Sequence, residues 1–202
     1  MKRRYWIYGV LLTSLMITLS ACKDSKNADG KDDDEQKAQK ESTQQQEKQQ
    51  EKGITEKMAK EHTGDKPKPT GAIDSEPRQP VTSETLSYGK VDGAEVAGYI
   101  AEPKNADKNL PGIIVIHEWW GLNDNIRKMT DKLAGLGYRA LAVDLYRGKI
   151  ADSPDKAKEL MKGAMGRKTE LKDNLKQAYD HLVEKTDSKK IASIGWCFGG
   201  GW

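Results

Sequence analysis

The chain has 202 residues, with 34 Lys and Arg against 31 Asp and Glu, and its formal net charge is +3 at pH 7. The charge is +3 for residues 1–22, −2 for 23–80 and +2 for 81–202. No segment concentrates the positive charge that nucleic-acid binding requires, so we expect no nucleic-acid partner. Residues 23–80 contain no aromatic residue, which confines the predicted core to residues 81–202.

The N-terminus predicts a secretory signal peptide over residues 1–21. Three basic residues precede an apolar run over residues 5–19, and small residues follow it. The run is shorter than a spanning helix needs, although an uncleaved anchor helix is the alternative. Residues 19–22, Leu-Ser-Ala-Cys, resemble the lipobox of bacterial lipoproteins. That resemblance implies cleavage before Cys22, lipidation of Cys22, and an exported protein anchored to the membrane through acyl chains. Lys23 after the lipid-bearing residue favours an outer membrane where the cell has one.

Residues 22–80 are interpreted as a lipidated, disordered polar tether. They are rich in Lys, Glu, Asp and Gln, and such a composition cannot offset the entropy of ordering. We expect at most a transient helix around residues 47–60. A dedicated binding segment for cell wall or a partner is the alternative, but no motif supports it. If Cys22 carries lipid, Cys197 has no disulfide partner, because the chain contains only these two cysteines.

From residue 81 onward the pattern predicts strands. Residues 86–90 alternate, Asp92-Gly93 supplies a type I′ turn, and residues 96–101 continue as an extended segment, which together predict a β-hairpin. Three short apolar runs follow, as expected for parallel strands buried on both faces. These runs are residues 113–116, 140–143 and 191–194.

Helical patterns separate the apolar runs. One apolar stripe covers residues 126–136, Ser153-Pro154 predicts a second helix start, and another stripe runs from Leu171 through Tyr179 to Val183. The order of hairpin, β, α, β, α, β predicts an α/β sheet with right-handed crossovers. Five strands are in view, without the closing half of such a sheet.

Each parallel strand ends in a polar or glycine-rich loop, where ligands of such sheets bind. The loops are residues 117–121, 144–148 and 195–201. The last has the form G-x-C-x-G-G, which matches the G-x-S-x-G nucleophile elbow with Cys197 in place of serine. The backbone N–H of Phe198 is then placed to bind an oxyanion. The alternatives are a glycine-rich turn with a small buried cysteine, or a dinucleotide or phosphate loop, whose motifs do not match.

The three loops together resemble the dienelactone hydrolase family of α/β-hydrolases, over about residues 83–202. The resemblance implies that Cys197 is the nucleophile and that Glu118 holds the thiol and helps to ionise it. It implies that the backbone N–H groups of Trp119 and Phe198 form the oxyanion hole. The implied reaction is hydrolysis of a small-molecule ester or lactone through an acyl-enzyme.

Local chemistry is consistent with these roles. A free thiol is mostly protonated at neutral pH and needs a base such as Glu118, while a helix after Cys197 would favour the thiolate. Glu118 is alternatively a solvated loop acid. His117 is disfavoured as the base, because neighbours on an extended segment point to opposite sides. His181 is expected on a solvated helix face, and Arg147 is a possible contact for a substrate carboxylate.

The chain departs from the family in one respect. The α/β-hydrolase triad runs nucleophile, acid, histidine, and no histidine follows Cys197. We therefore predict that this is an N-terminal fragment, inactive in turnover. No cofactor is implied, and two cysteines with three scattered histidines do not form a zinc ligand set. The alternative function is a non-catalytic, membrane-anchored lipoprotein with a hydrolase-like binding domain.

Overall fold

The computed structural model describes residues 31–67, 71 and 74–202. The predicted signal peptide and the lipidation site at Cys22 lie outside the described residues. Within the described part of the chain, no helix combines the length and apolar character needed to cross a bilayer.

The first described element is the helix α1, Lys31–Glu61. It includes the transient helix expected around residues 47–60 and extends it to residues that the composition predicts to be disordered. Its described side chains from residue 37 onward are exposed, and it has no apolar face. The helix follows from the high helix propensity of its Lys, Glu, Gln and Ala residues rather than from burial.

A β-hairpin opens the sheet, as the sequence predicts. Strands β1, Val81–Val91, and β2, Ala94–Pro103, pair antiparallel. Asp92 and Gly93 have φ values of 51° and 78°, which is the left-handed pair that a type I′ turn requires.

Three parallel strands extend the sheet. They are β3, Gly112–Ile116, β4, Arg139–Val143, and β5, Ile191–Gly195. The strand order is β1-β2-β4-β3-β5, with β3 parallel to both β4 and β5, and β2 antiparallel to β4. Every residue of β3 and β4 is buried, as continuous apolar runs predict. In the described part of the chain β5 pairs only with β3, and its Ala192 and Ser193 are exposed.

Three helices cover the sheet. They are α2, Asp124–Gly135, α3, Pro154–Met165, and α4, Lys168–Lys185. The Asn123 side chain caps α2 by accepting from the backbone N–H of Ile126 at 3.2 Å. Ser153 is the N-cap residue of α3 as predicted, but its side chain makes no capping hydrogen bond.

The alternating side chains of β3 and β4 form two cores on opposite faces of the sheet. Ile126 of α2 packs against Ile113 and Val115 on one face, whereas Leu182 of α4 packs in the cluster that contains Ile114 on the other. Tyr179 is 47% exposed, so its predicted place in the apolar stripe of α4 is wrong.

Contacts to α2 begin before the predicted domain boundary at residue 81. The Lys132 ammonium donates to Ser75 Oγ at 2.8 Å, and Gln79 Nε2 donates to the Gly135 carbonyl at 3.3 Å. The last residues of the predicted tether therefore pack on the folded domain.

Candidate active site

A sharp turn at the end of β5 places Cys197 above the sheet. Trp196 is extended, Cys197 has a left-handed φ of 53°, and a 3-10 turn runs over Cys197–Gly201. The Gly199 N–H donates a hydrogen bond to the Trp196 carbonyl oxygen at 2.9 Å across the turn. Left-handed backbone at a non-glycine residue is strained and is enriched at functional sites. The Cys197 thiol is exposed rather than buried as a structural cysteine would be.

The flanking glycines are required by the crowding of this turn. A Cβ atom at Gly199 would lie 2.7 Å from the His117 carbonyl oxygen and closer still to the Ile116 carbonyl oxygen. A Cβ atom at Gly195 would overlap the Gly199 carbonyl and lie 2.9 Å from the Gly200 nitrogen. Both positions face backbone atoms that cannot rotate away.

Two backbone amides face the thiol. Although Cys197 reaches the surface, partial desolvation of its sulfur raises the pKa of the thiol, while the backbone N–H groups of Phe198 and Trp119 lower it. The structure thus brings together three of the residues that the sequence singled out. The described residues that follow Cys197 form a 3-10 turn, and the net direction of the thiol pKa is upward.

Glu118 lies half-buried between the buried strand β3 and the elbow. Burial raises the pKa of its carboxyl group, and a hydrogen bond with the Asn125 side chain lowers it. The Glu118 charge raises the pKa of Cys197, so the two groups are electrostatic neighbours. A raised pKa makes the Glu118 carboxylate a better acceptor for the thiol proton. If the carboxylate stayed ionised after the transfer, its negative charge would repel the thiolate.

His117 is a structural residue of the site. It is fully buried, its Nε2 accepts from the Leu145 N–H at 3.2 Å, and its Nδ1 lies 2.6 Å from the Glu118 carbonyl oxygen. These two bonds fix the neutral tautomer with the proton on Nδ1, and burial lowers the pKa of the ring. With both nitrogens engaged, His117 is not available as a base.

Two further sequence expectations are wrong. The Arg147 guanidinium is bound by Glu170 at 2.6 Å and by Asp92 at 2.7 Å, so it is not free for a substrate carboxylate. His181 is partly buried rather than fully solvated, since its Nε2 is buried, and no partner for that atom occurs among the described residues.

The structure adds two acid–base residues that the sequence reasoning missed. His62 Nδ1 lies 2.6 Å from Asp65 Oδ2, and the His62 ring centroid lies 5.4 Å from the Trp119 ring. The charge of Asp65 raises the pKa of Cys197. Both residues lie in the predicted tether, whose polar composition gives no signal of a contact with the site.

A third missed residue is Tyr146, in the loop after β4. Its side chain is 2% exposed, and its hydroxyl oxygen is buried without a hydrogen-bond partner among the described residues. Burial and the charge of Cys197 raise the pKa of this phenol. The described ranges contain no group of three or more His, Cys, Asp or Glu side chains able to hold a metal ion.

The profile of the dienelactone hydrolase family matches residues 96–202, which carry the elbow, Glu118 and the loop after β4. The chain belongs to the dienelactone hydrolase family. Among curated relatives, a protein named as a carboxymethylenebutenolidase of Aquifex aeolicus is 41% identical over 115 residues, covering 54% of this chain and 48% of the relative. Protein usf of Aquifex pyrophilus is 43% identical over 115 residues, with the same coverage of the two chains.

Solved structures of dienelactone hydrolases share the fold. A Klebsiella pneumoniae protein named as a dienelactone hydrolase aligns with a TM-score of 0.52 and 26% identity, covering 60% of this chain and 52% of that one. The predicted fold class, an open α/β-hydrolase sheet that begins with an antiparallel hairpin, is thereby confirmed. The chain spans about half the length of the curated relatives it matches.

Proposed function

We propose that this dienelactone hydrolase-type chain cleaves an ester or lactone by forming an acyl-enzyme on Cys197. One observation carries the proposal. An exposed cysteine stands on a left-handed elbow, and the backbone N–H groups of Phe198 and Trp119 lie near enough to lower the pKa of its thiol. A preorganised pair of amides beside a nucleophile is the arrangement that stabilises a tetrahedral oxyanion.

The acylation step uses four groups of the site. Glu118 accepts the thiol proton, and the Cys197 sulfur attacks the carbonyl carbon of the ester. The C–S bond forms, and the carbonyl oxygen gains the negative charge and accepts hydrogen bonds from the Trp119 and Phe198 amides. When the carbonyl re-forms, the C–O bond to the leaving group breaks, and the alkoxide takes a proton from Glu118 or water.

Hydrolysis of the acyl-enzyme is a separate requirement, because a base must activate water. His117 has both nitrogens engaged, and His181 lies on α4. His62 is bound to Asp65, and among the described residues no hydrogen bond joins it to Cys197 or Glu118. Glu118 serves the first step. We therefore propose that the 202-residue chain acylates stoichiometrically and does not turn over usefully.

The site belongs to a protein that we propose is exported and lipid-anchored through Cys22. The lipobox-like residues 19–22 behind a basic and apolar N-terminus support this location. A second candidate function is a non-catalytic lipoprotein whose hydrolase-like domain binds a small ligand. The raised pKa of the Cys197 thiol favours this candidate, since a protonated thiol is a poor nucleophile.

Acylation of the thiol separates the two candidates. The chain and a Cys197→Ala variant are mixed with p-nitrophenyl acetate, and p-nitrophenolate release and intact protein mass are followed together. We expect one equivalent of released p-nitrophenolate and one acetyl adduct, both lost in Cys197→Ala. If Cys197→Ala is acetylated as much as the wild type, or if the wild type is acetylated no faster than a free cysteine peptide, Cys197 is not the nucleophile. The non-catalytic ligand-binding lipoprotein is then the remaining candidate.

A further inference from the structure

The His117 imidazole joins the loops that form the candidate active site. Its side chain has no exposed surface, and its Nε2 accepts from the Leu145 N–H, in the loop after β4, at 3.2 Å. Its ring stacks on that of Phe198, the residue after Cys197, with centroids 5.9 Å apart and an angle of 21° between the ring planes. The imidazole is therefore fixed in place by the elbow and by the loop beside it.

The other ring nitrogen binds the backbone of the loop after β3. His117 Nδ1 lies 2.6 Å from the Glu118 carbonyl oxygen. A carbonyl oxygen only accepts, so Nδ1 carries the proton and donates it to this bond. The Gly121 N–H donates to the same oxygen at 3.2 Å. Two donors thus hold the Glu118 carbonyl, and the imidazole is the nearer one.

The Glu118 carbonyl belongs to the same peptide unit as the Trp119 N–H. A trans peptide unit is planar, and its C=O and N–H groups point to opposite sides. Holding the carbonyl at one end of the unit therefore sets the direction of the N–H at the other end. The nitrogen of Trp119 has no freedom of its own once the Glu118 oxygen is bound.

The N–H end of this peptide unit lies at the elbow. It is near enough to the Cys197 thiol to lower the thiol pKa. Backbone distances show the same close approach of the two loops. A Cβ atom added at Gly199, two residues after the nucleophile, would lie 2.7 Å from the His117 carbonyl oxygen. The elbow thus touches the chain directly before the peptide unit that the imidazole holds.

We propose that His117 positions the Trp119 N–H of the oxyanion hole by binding the Glu118 carbonyl at the opposite end of the same peptide unit. The inference deepens the proposed function and rests on the Trp119 amide binding the ester oxygen. His117 acts through the peptide unit and contacts neither the sulfur nor the ester, so it is a positioning residue.

The bonds of the imidazole form one chain of hydrogen bonds that leads to the oxyanion. The Leu145 N–H donates to Nε2, and Nδ1–H donates to the Glu118 carbonyl. The Trp119 N–H then donates to the ester oxygen as that oxygen becomes negative. Hydrogen bonds in such a chain polarise one another, and donors that are held in place before the reaction stabilise the developing charge most. The chain gives the buried histidine a role that an apolar ring of the same size cannot fill.

Two substitutions separate the two bonds of the ring. The side-chain amide of asparagine lies where Nδ1 lies in histidine, and the amide of glutamine lies where Nε2 lies. His117→Asn therefore keeps a donor to the Glu118 carbonyl, whereas His117→Gln keeps an acceptor for the Leu145 N–H and loses that donor. Both variants are made in the full chain, and urea unfolding is measured for each.

The test compares two reactions of the Cys197 thiol. Acylation by p-nitrophenyl acetate passes through an oxyanion, whereas alkylation by iodoacetamide attacks a saturated carbon and forms none. Both rates are taken at the high-pH plateau, where the thiol is ionised. In His117→Gln we expect the ratio of acylation to alkylation to fall by about tenfold. This is part of the roughly 10²–10³-fold lost with a whole oxyanion donor, because the Gly121 N–H still holds the carbonyl.

His117→Asn should recover most of that loss, even if it unfolds at lower urea than His117→Gln. A purely structural role predicts that the ratio follows stability instead. Equal ratios in the two variants, or a lower ratio in His117→Asn, overturn the inference.

Nitrogen-15 NMR of the wild type tests the same bond without a change at His117. The inference requires a neutral ring with the proton on Nδ1 at pH 7. The chain contains three histidines, so His62→Gln and His181→Gln assign the other two signals. A His117 ring with its proton on Nε2 overturns the inference whether or not the variants fold.

The hydrolase proposal and this inference fail separately. If wild-type Cys197 is alkylated but never acylated, the hydrolase function fails. The midpoint of the alkylation profile then tests His117, because the Trp119 N–H lowers the thiol pKa. That midpoint should move upward in His117→Gln and stay in place in His117→Asn, and equal midpoints overturn the inference. If the wild type is acylated and the two variants behave alike, the hydrolase proposal stands and the role of His117 is refuted.

Discussion

Replacing Gly199 by alanine should destabilise the elbow more than the same replacement at any other glycine of the 3-10 turn. The added Cβ atom would lie 2.7 Å from the His117 carbonyl oxygen and 2.8 Å from the Ile116 carbonyl carbon. Both are backbone atoms at the end of β3, so relief requires the turn and the strand to separate. Overpacking of a rigid site costs about 1–3 kcal/mol, and backbone neighbours place this variant near 3 kcal/mol.

The assay is urea unfolding followed by tryptophan fluorescence, together with the alkylation rate of Cys197. At a typical urea dependence, a loss of about 3 kcal/mol lowers the unfolding midpoint by roughly 1–3 M. Gly201→Ala is the control in the same turn, since its Cβ would meet nothing within 4 Å. It should stay within about 0.5 kcal/mol of the wild type. Equal urea unfolding midpoints for Gly199→Ala and Gly201→Ala would refute the close approach of Gly199 to the end of β3.

Four other outcomes follow from the site and the N-terminus. Asp65→Asn removes a charge that raises the pKa of Cys197, so alkylation at pH 7 should become about two- to threefold faster; an unchanged rate would count against that contact. Glu118→Gln also removes a negative charge near Cys197, but it removes the proton acceptor as well. The acylation rate at neutral pH should therefore fall by about 10²-fold and recover at high pH. Acylation at the wild-type rate would exclude Glu118 as the base. Cys22→Ser should shift the protein from the detergent phase to the aqueous phase in Triton X-114 partitioning, and a detergent-phase variant would contradict lipidation. Steady-state p-nitrophenyl acetate turnover should stop after one equivalent in the wild type, and sustained turnover abolished by Cys197→Ala would show that a base is present.

Local patterns were sufficient to predict most of the fold. The apolar runs became β3, β4 and β5 because strands buried on both faces leave no room for polar residues. Asp92-Gly93 fixed the hairpin through backbone conformation alone. Only a transient helix around residues 47–60 was expected where α1 spans Lys31–Glu61, because a composition that forbids a core does not forbid a polar helix.

The site was predictable where its chemistry is carried by backbone geometry. The G-x-C-x-G-G pattern indicates an elbow because the glycines and the nucleophile occupy one short turn. Contacts between distant segments have no such local signal. His62 and Asp65 lie more than 50 residues before the Trp119 ring that His62 contacts. Arg147, in the loop after β4, is bound by Glu170 of α4. The direction of the thiol pKa depends on the burial of the site, which the order of residues does not show.

The central claim is that Cys197 carries the acyl group with its carbonyl oxygen between the Trp119 and Phe198 amides. Isotope-edited infrared spectroscopy of the chain acylated with ¹³C-carbonyl acetate tests it directly, because hydrogen bonding lowers the carbonyl stretching frequency. We predict a single thioester band that lies at lower frequency in the folded protein than in urea, and that is absent from Cys197→Ala. A band with the same frequency in folded and unfolded protein, or a label on another residue, would contradict the claim.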